Sequence, residues 1–231
     1  MPAMKLPSEV ANSLLFADVD EAALDIAAQS LRPLSYRIGQ VVFETGEEGH
    51  ALYIIQRGKV KVSHCNLDGR EKIFAYLSPG KIFGEMSLID SAPRSATATA
   101  VKNTVLYALY AEEYWSLIGR YPRIAHNLAR ILAQRLREMN HEVEVLTFEE
   151  SRGKVAYALL KLFRHEFGEP TPRGRLLPIT QRELADIAGT SRETVTRVIN
   201  EFQGRGYLNS ETGKVEVFDP AGLERVLYDL E

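Results

Sequence analysis

From Ala125 to Leu146 the apolar residues Ala125, Ala129, Leu132, Leu136, Met139, Val143 and Leu146 recur at alternating steps of four and three. This is the a/d seam of a coiled coil, and Pro122 stands where a proline suits the first turn of a helix. A second stripe, Ile124, Leu128 and Ile131, runs along the same helix. An ordinary helix packs on its own domain through one such stripe, so two imply that this helix touches a further surface. A second copy of the chain is the simplest candidate, with Leu132, Leu136, Met139, Val143 and Leu146 as the contact line.

The chain reads differently on the two sides of this helix. Ser8 to Leu31 carries helical spacing through Leu14, Leu15, Leu24, Ile26 and Ala27, and Pro33 ends it. From Leu34 short apolar runs alternate with turn signals. Val41-Val42-Phe43 precedes Thr45-Gly46, and Leu52-Tyr53-Ile54-Ile55 precedes Arg57-Gly58. Val60 and Val62 precede Asp68-Gly69, Ile73 to Leu77 precedes Pro79-Gly80, and Thr97 to Leu109 gives one more set. Strands at this spacing imply an antiparallel sandwich or barrel.

After the long helix, Gly153 to Phe167 is amphipathic, and Gly168 to Pro178, with three prolines and two glycines, is predicted to be a loop. Thr180 to Ala188 and Ser191 to Phe202 are predicted helices, separated by Gly189-Thr190. Tyr207-Leu208, a turn at Glu211 to Lys214, and Val215 to Phe218 read as a small hairpin. The predicted fold is α+β in three parts: residues 1–120, a helix over 121–150, and residues 151–231.

A chain of 231 residues is comfortable for two domains. Its single cysteine, Cys65, excludes an internal disulfide framework, fits a reducing cytoplasm and is too little for an iron–sulfur cluster. No apolar run approaches the roughly 18 residues of a bilayer span, and Met1 to Asn12 lacks the apolar core of a signal peptide. His50, His64, His126, His141 and His165 have no metal-ligand spacing, and no Walker loop or nucleophile–base motif appears, so neither a metal nor catalysis is expected. Net charge is −3, and Ser151 to Glu231 holds 12 basic against 12 acidic residues. Any affinity for nucleic acid must come from where arginines stand, not from bulk charge.

Thr180-Gln181-Arg182-Glu183 is a capping box, Gly189 sits where a tight turn needs left-handed backbone, and Ser191 caps the next helix. Val195, Val198, Ile199 and Phe202 face inward, which leaves Arg192, Glu193, Thr194 and Arg197 outward in the first turns. That is the end a helix-turn-helix presents to base edges; arginine pairs with guanine, and a carboxylate accepts from cytosine. The same residues would also suit a merely solvated surface.

Phe83 to Thr97 holds a second motif, Phe-Gly-Glu-Met-Ser-Leu-Ile-Asp-Ser-Ala-Pro-Arg-Ser-Ala-Thr. Gly84 lets backbone approach a ligand, amides after it can receive an anion, Arg94 can pair with a phosphate, and Glu85 can accept from a sugar hydroxyl. Spacing alone equally allows a buried Glu85–Arg94 ion pair that holds a loop.

The run Ile179 to Arg197 resembles the helix-turn-helix of the Crp/Fnr family, in its cyclic-AMP receptor branch, and the resemblance extends from about Leu15 to Phe218. It implies an N-terminal β-roll sensor, a dimerisation helix and a C-terminal winged helix-turn-helix in a cytoplasmic, homodimeric transcription regulator. Arg192, Glu193 and Arg197 would read a TGTGA half-site of a palindrome with a six-base-pair spacer. Thr180, Ser191 and Thr194 would contact DNA phosphates, Gln181 would also belong to the DNA-binding set, and the hairpin would be the wing.

The Phe83 motif resembles the phosphate-binding cassette of cyclic-nucleotide-binding domains. The resemblance implies cyclic AMP as effector, with Glu85 on the ribose and Arg94, Ser95 and Ala96 on the phosphate. Phe74, Gly84, Met86, Met139 and Asn140 would complete the site. Met139 and Asn140 stand where the receptor branch offers threonine and serine to the adenine; Asn140 keeps an amide for that edge. Met86 stands where haem-binding members place a histidine, although Pro2 is shared with them. The position of Gly168 to Arg175 matches the loop that touches RNA polymerase in the family. The alternatives are a regulator that needs no effector and a nucleotide-binding interaction module.

Overall fold

The structure is a computed structural model that describes residues 5–66 and 71–228. Pro2 and the Asp68-Gly69 turn lie outside the described residues. The chain divides into two compact units, Met1–Leu136 and Arg137–Glu231.

The first unit opens with α1 (Ser8–Ala11), a 3-10 turn (Leu14–Phe16) and α2 (Glu21–Ser30). The continuous helical segment predicted for Ser8 to Leu31 is therefore broken twice. Asp18 takes a positive φ of 56°, and the Asp20 side chain caps α2 by accepting from the Ala23 amide at 2.8 Å. Local capping overrides the apolar spacing here, because Asp side chains bond their own backbone and start helices afresh. Pro33 lies inside a strand rather than merely ending the helix.

Eight strands follow: β1 (Arg32–Tyr36), β2 (Val41–Phe43), β3 (Ala51–Arg57), β4 (Val60–Cys65), β5 (Glu71–Leu77), β6 (Ile82–Phe83), β7 (Thr97–Ala100) and β8 (Thr104–Tyr110). A short helix, α3 (Glu85–Asp90), separates β6 from β7. The strands form two antiparallel sheets, ordered β1-β8-β3-β6 and β2-β7-β4-β5. Phe43, Val60, Leu77 and Ala98 from one sheet pack against Ile55, Phe83 and Leu106 from the other. On its far face the first sheet buries Leu52, Ile54, Ile82 and Leu109 under helices. That double burial explains the unbroken apolar run in β3, where alternate side chains enter different cores.

Two helices complete this layer: α4 (Ala111–Arg120) and the start of α5 (Pro122–Phe148). Ile124, Leu128 and Ile131 join the helical core, as the second stripe predicts. Asn127, fully buried among them, donates to the carbonyls of Leu15 (3.1 Å) and Ala17 (2.7 Å) and ties the N-terminal turn to the helix.

The second unit is built around α6 (Ser151–Arg164), whose Val155, Ala156, Ala158 and Leu159 are completely buried. The segment predicted to be a loop is instead a hairpin, β9 (Glu169–Thr171) and β10 (Gly174–Leu177), within a sheet ordered β11-β12-β10-β9. Its partners are β11 (Leu208–Glu211) and β12 (Lys214–Val217). The prolines do not prevent this. Pro170 sits on the outermost strand, where one missing donor is tolerated, and Gly174 lets β10 run close under the Val217 carbonyl. Between the two hairpins lie α7 (Gln181–Ala188) and α8 (Arg192–Gly204), and α9 (Pro220–Leu227) closes the unit.

Candidate ligand pocket and nucleic-acid interface

The cassette is assembled where β6 gives way to α3. Gly84 turns the chain with φ 77°, and a side chain there would meet Arg94 Nη1 at 2.7 Å. A side chain at Gly49 would meet Arg94 Cζ at 2.7 Å. These two glycines leave the space that the guanidinium fills. Arg94 is almost fully buried and donates to the carbonyls of Gly84 (2.6 Å) and Ala51 (2.9 Å), with its Cζ 4.1 Å from the Phe43 ring centroid. Burial pushes its pKa down, opposed by Tyr53, Glu85 and Glu47.

Glu85, also almost fully buried, does not form the ion pair with Arg94 that the sequence left open. Its Oε1 accepts from Arg135 of α5 at 2.6 Å, and Arg135 also donates to the Ile82 carbonyl at 2.5 Å. Arg135 was missed in the sequence, yet it carries a readable signal: it continues the stripe of Ile124, Leu128 and Ile131 that docks α5 on its own unit. Two buried atoms of the cassette, Glu85 Oε2 and Arg94 Nε, have no hydrogen-bond partner among the described residues. Such atoms are costly to leave unpaired, and a ligand that offers a hydroxyl and an anionic oxygen supplies what they lack.

Ser95 is exposed beside them, with its hydroxyl 3.7 Å from Met86 Sδ, and Ala96 is buried. Phe74 lies on β5 in the other sheet, 45% exposed. Met139 and Asn140 belong to the second unit, both exposed on α5.

The predicted contact line along α5 is open in its middle. Leu136, Met139 and Val143 are 58, 61 and 62% exposed. Its ends are partly engaged within the protomer: Leu132 packs against the helical core, and Leu146 Cδ2 lies 3.5 Å from where a side chain on Gly189 would begin.

In the second unit Thr180 accepts from the Glu183 amide at 3.2 Å while Glu183 accepts from the Thr180 amide at 2.8 Å, which completes the capping box. Gly189 ends α7 at φ 64°, and Ser191 caps α8 by accepting from the Thr194 amide at 3.2 Å. Val195, Val198, Ile199 and Phe202 are buried, so Arg192, Glu193 and Arg197 stand outward and Thr194 is half-buried. The Glu193 carboxyl is held below its usual range by its own backbone amide and the Ser191 hydroxyl, with Arg192 adding to this against the opposing desolvation. Gln181 Oε1 accepts from the Thr196 hydroxyl at 2.6 Å and so bridges α7 and α8.

An antiparallel β domain joined to a winged helix-turn-helix defines a class of DNA-binding transcription regulator. Residues 33–121 match the cyclic nucleotide-binding domain, and residues 153–226 match the Crp-like helix-turn-helix domain. The chain is 44% identical to the cyclic AMP receptor protein of Thermus thermophilus, covering 94% of this chain and 98% of that one. It is 35% identical to the CRP-like cAMP-activated global transcriptional regulator of Mycobacterium tuberculosis, covering 94% and 97%. A crystal structure of a CRP/FNR-family transcriptional regulator from Thermus thermophilus matches with a TM-score of 0.72 at 28% identity, covering 85% and 98%. The chain belongs to the Crp/Fnr family of transcription regulators. Among the described residues no helix is long and apolar enough to cross a membrane.

Proposed function

We propose that this regulator is a homodimer gated by cyclic AMP that binds a palindrome of the form TGTGA, six base pairs, TCACA. In this reading residues 1–120 are the sensor, 121–150 the dimerisation helix and 151–231 the DNA-binding domain, and the protein works in the cytoplasm without catalysing a reaction.

The observation that carries the ligand is the pair of buried, unpartnered atoms, Glu85 Oε2 and Arg94 Nε. Bound cyclic AMP supplies one phosphate charge and a ribose 2′-hydroxyl. Arg94 Nε donates to the phosphate together with the backbone and hydroxyl of Ser95, and Glu85 Oε2 accepts from the ribose. The relatives from Thermus thermophilus and Mycobacterium tuberculosis, both named for cyclic AMP, favour this nucleotide.

The open line of Leu136, Met139 and Val143 supports pairing of two copies along α5. A twofold dimer presents its recognition helices to successive major grooves, roughly 34 Å apart. Arg192 and Arg197 then reach guanines and Glu193 a cytosine on the other strand, while the hairpin β9–β10 offers a surface to RNA polymerase.

Calorimetry with cyclic AMP, followed by a gel shift on the palindrome with and without nucleotide, tests the reading. Saturable binding that tightens DNA affinity is expected. DNA binding indifferent to nucleotide would replace gating with an effector-independent regulator.

A further inference from the structure

Thr196 makes a link between the two helices of the helix-turn-helix that their packing does not require. Its hydroxyl has one proton and two acceptors in reach, Gln181 Oε1 at 2.6 Å and the Arg192 carbonyl four residues back at 2.9 Å, and the shorter contact, to the carboxamide, takes it. The carbonyl is a partner that threonine finds in any helix; the carboxamide is not. Gln181 is the first residue of α7 and Thr196 lies in the second turn of α8, both half-buried, with Arg197 next in sequence. Because Oε1 is engaged, the free end of the carboxamide is Nε2, whose two N–H donors have no protein partner among the described residues.

We propose that Thr196 is a positioning residue for DNA binding, which clamps Gln181 so that its amide nitrogen donates to a phosphate oxygen. In a helix-turn-helix the second helix enters the major groove and the first crosses the sugar-phosphate backbone. Glutamine side chains and helix N-termini are both used for phosphate contacts, and Gln181 combines the two. A phosphate accepts and never donates, so which end of the carboxamide faces it decides whether the contact forms. A free glutamine would also lose rotamer freedom on binding, a cost that the clamp removes beforehand. The inference rests on α7 and α8 being the DNA interface. It adds that a residue touching no DNA sets affinity through a neutral neighbour.

The test uses the full-length protein on a palindrome selected by the wild type. Thr196→Val is expected to weaken binding about 3- to 10-fold per half-site, the loss of one ordinary hydrogen bond, equally for all base sequences. Phosphate-ethylation interference should lose its signal at one phosphate in each half-site. Gln181→Ala should match both effects, Thr196→Ser should restore wild-type binding, and the double variant should bind no more weakly than Gln181→Ala alone. Gln181→Glu leaves Thr196 its acceptor but turns an anionic oxygen outward, so it must weaken binding more than Gln181→Ala does, and this comparison stands even if Thr196→Val fails to fold. Full affinity in Thr196→Val, additive losses, an unchanged ethylation pattern, or Gln181→Glu binding as well as Gln181→Ala would overturn the clamp. A wild type that selects no DNA at all would overturn the interface itself, and the clamp with it.

Discussion

Glu85 and Arg135 stand 50 residues apart in the chain, yet their side chains meet at 2.6 Å, the carboxylate 4% exposed and the guanidinium 33% exposed. Removing one partner of such a pair is costly because the other keeps its charge in a poorly solvated place. Arg135→Met is therefore expected to destabilise the first unit by roughly 2–4 kcal/mol at neutral pH. Glu85→Gln in the same chain should recover much of that, because the orphaned charge is gone. Denaturant titration of the two single variants and the double variant checks it; costs that simply add would contradict the pairing.

Leu136 occupies the middle of the open line on α5. Leu136→Glu puts two carboxylates against each other in any twofold pairing along this line, and burying unpaired charge is prohibitive. Sedimentation should show a monomer, and binding to the palindrome should collapse. Because Leu136 is 58% exposed in the protomer, the melting of an isolated subunit should change by less than about 0.5 kcal/mol. A dimeric Leu136→Glu protein would refute the contact line.

The helix-turn-helix was legible because its signals are local. Thr180, Glu183, Gly189 and Ser191 each act on backbone within four residues, so the sequence alone locates the helix ends. β3 was legible as a strand for a similar reason, although its two-sided burial was not. What failed depended on remote partners. The hairpin β9–β10 exists because Gly174 and Arg175 lie against β12, some forty residues on, and prolines on an outer strand cost little there. In the cassette, Gly84 and Arg94 were found by motif. The actual partner of Glu85 was not: the stripe of Ile124, Leu128 and Ile131 places Arg135 on the inward face of α5, but nothing local says which residue, 50 positions away, it meets there.

Arg197 stands outward from a buried Val198 and Ile199, free to meet a base. A bidentate arginine–guanine pair contributes about 1–3 kcal/mol of discrimination. Arg197→Ala should lose that amount per half-site and accept other bases at the matching position, whereas Thr194→Ala should weaken all sequences alike. Selection from random DNA by the two variants and the wild type separates the outcomes. Unchanged base preference in Arg197→Ala would remove it from the reading surface.

Burial pushes the Tyr157 hydroxyl from 10.0 up to about 12, and Glu142 and Glu138 add to the shift. A group whose folded pKa is raised contributes stability that is complete below its unfolded pKa and is lost as pH climbs through the folded value. The window here runs from about pH 10 to about pH 12. Across it the wild type should lose roughly 1–3 kcal/mol relative to Tyr157→Phe, which has no proton to give up. Paired urea titrations near pH 9 and near pH 11.5 measure the difference; a gap between the two proteins that stays constant would contradict the burial.

Pro33 lies in β1, the outermost strand of its sheet, opposite Tyr107. An outer strand is a template on which a stray chain can add itself, and a residue with no amide hydrogen breaks that template. Pro33 thus guards this one edge of the sheet against the addition of a further strand. In the proposed dimer, self-association falls instead to a helix, whose twofold pairing closes after two copies.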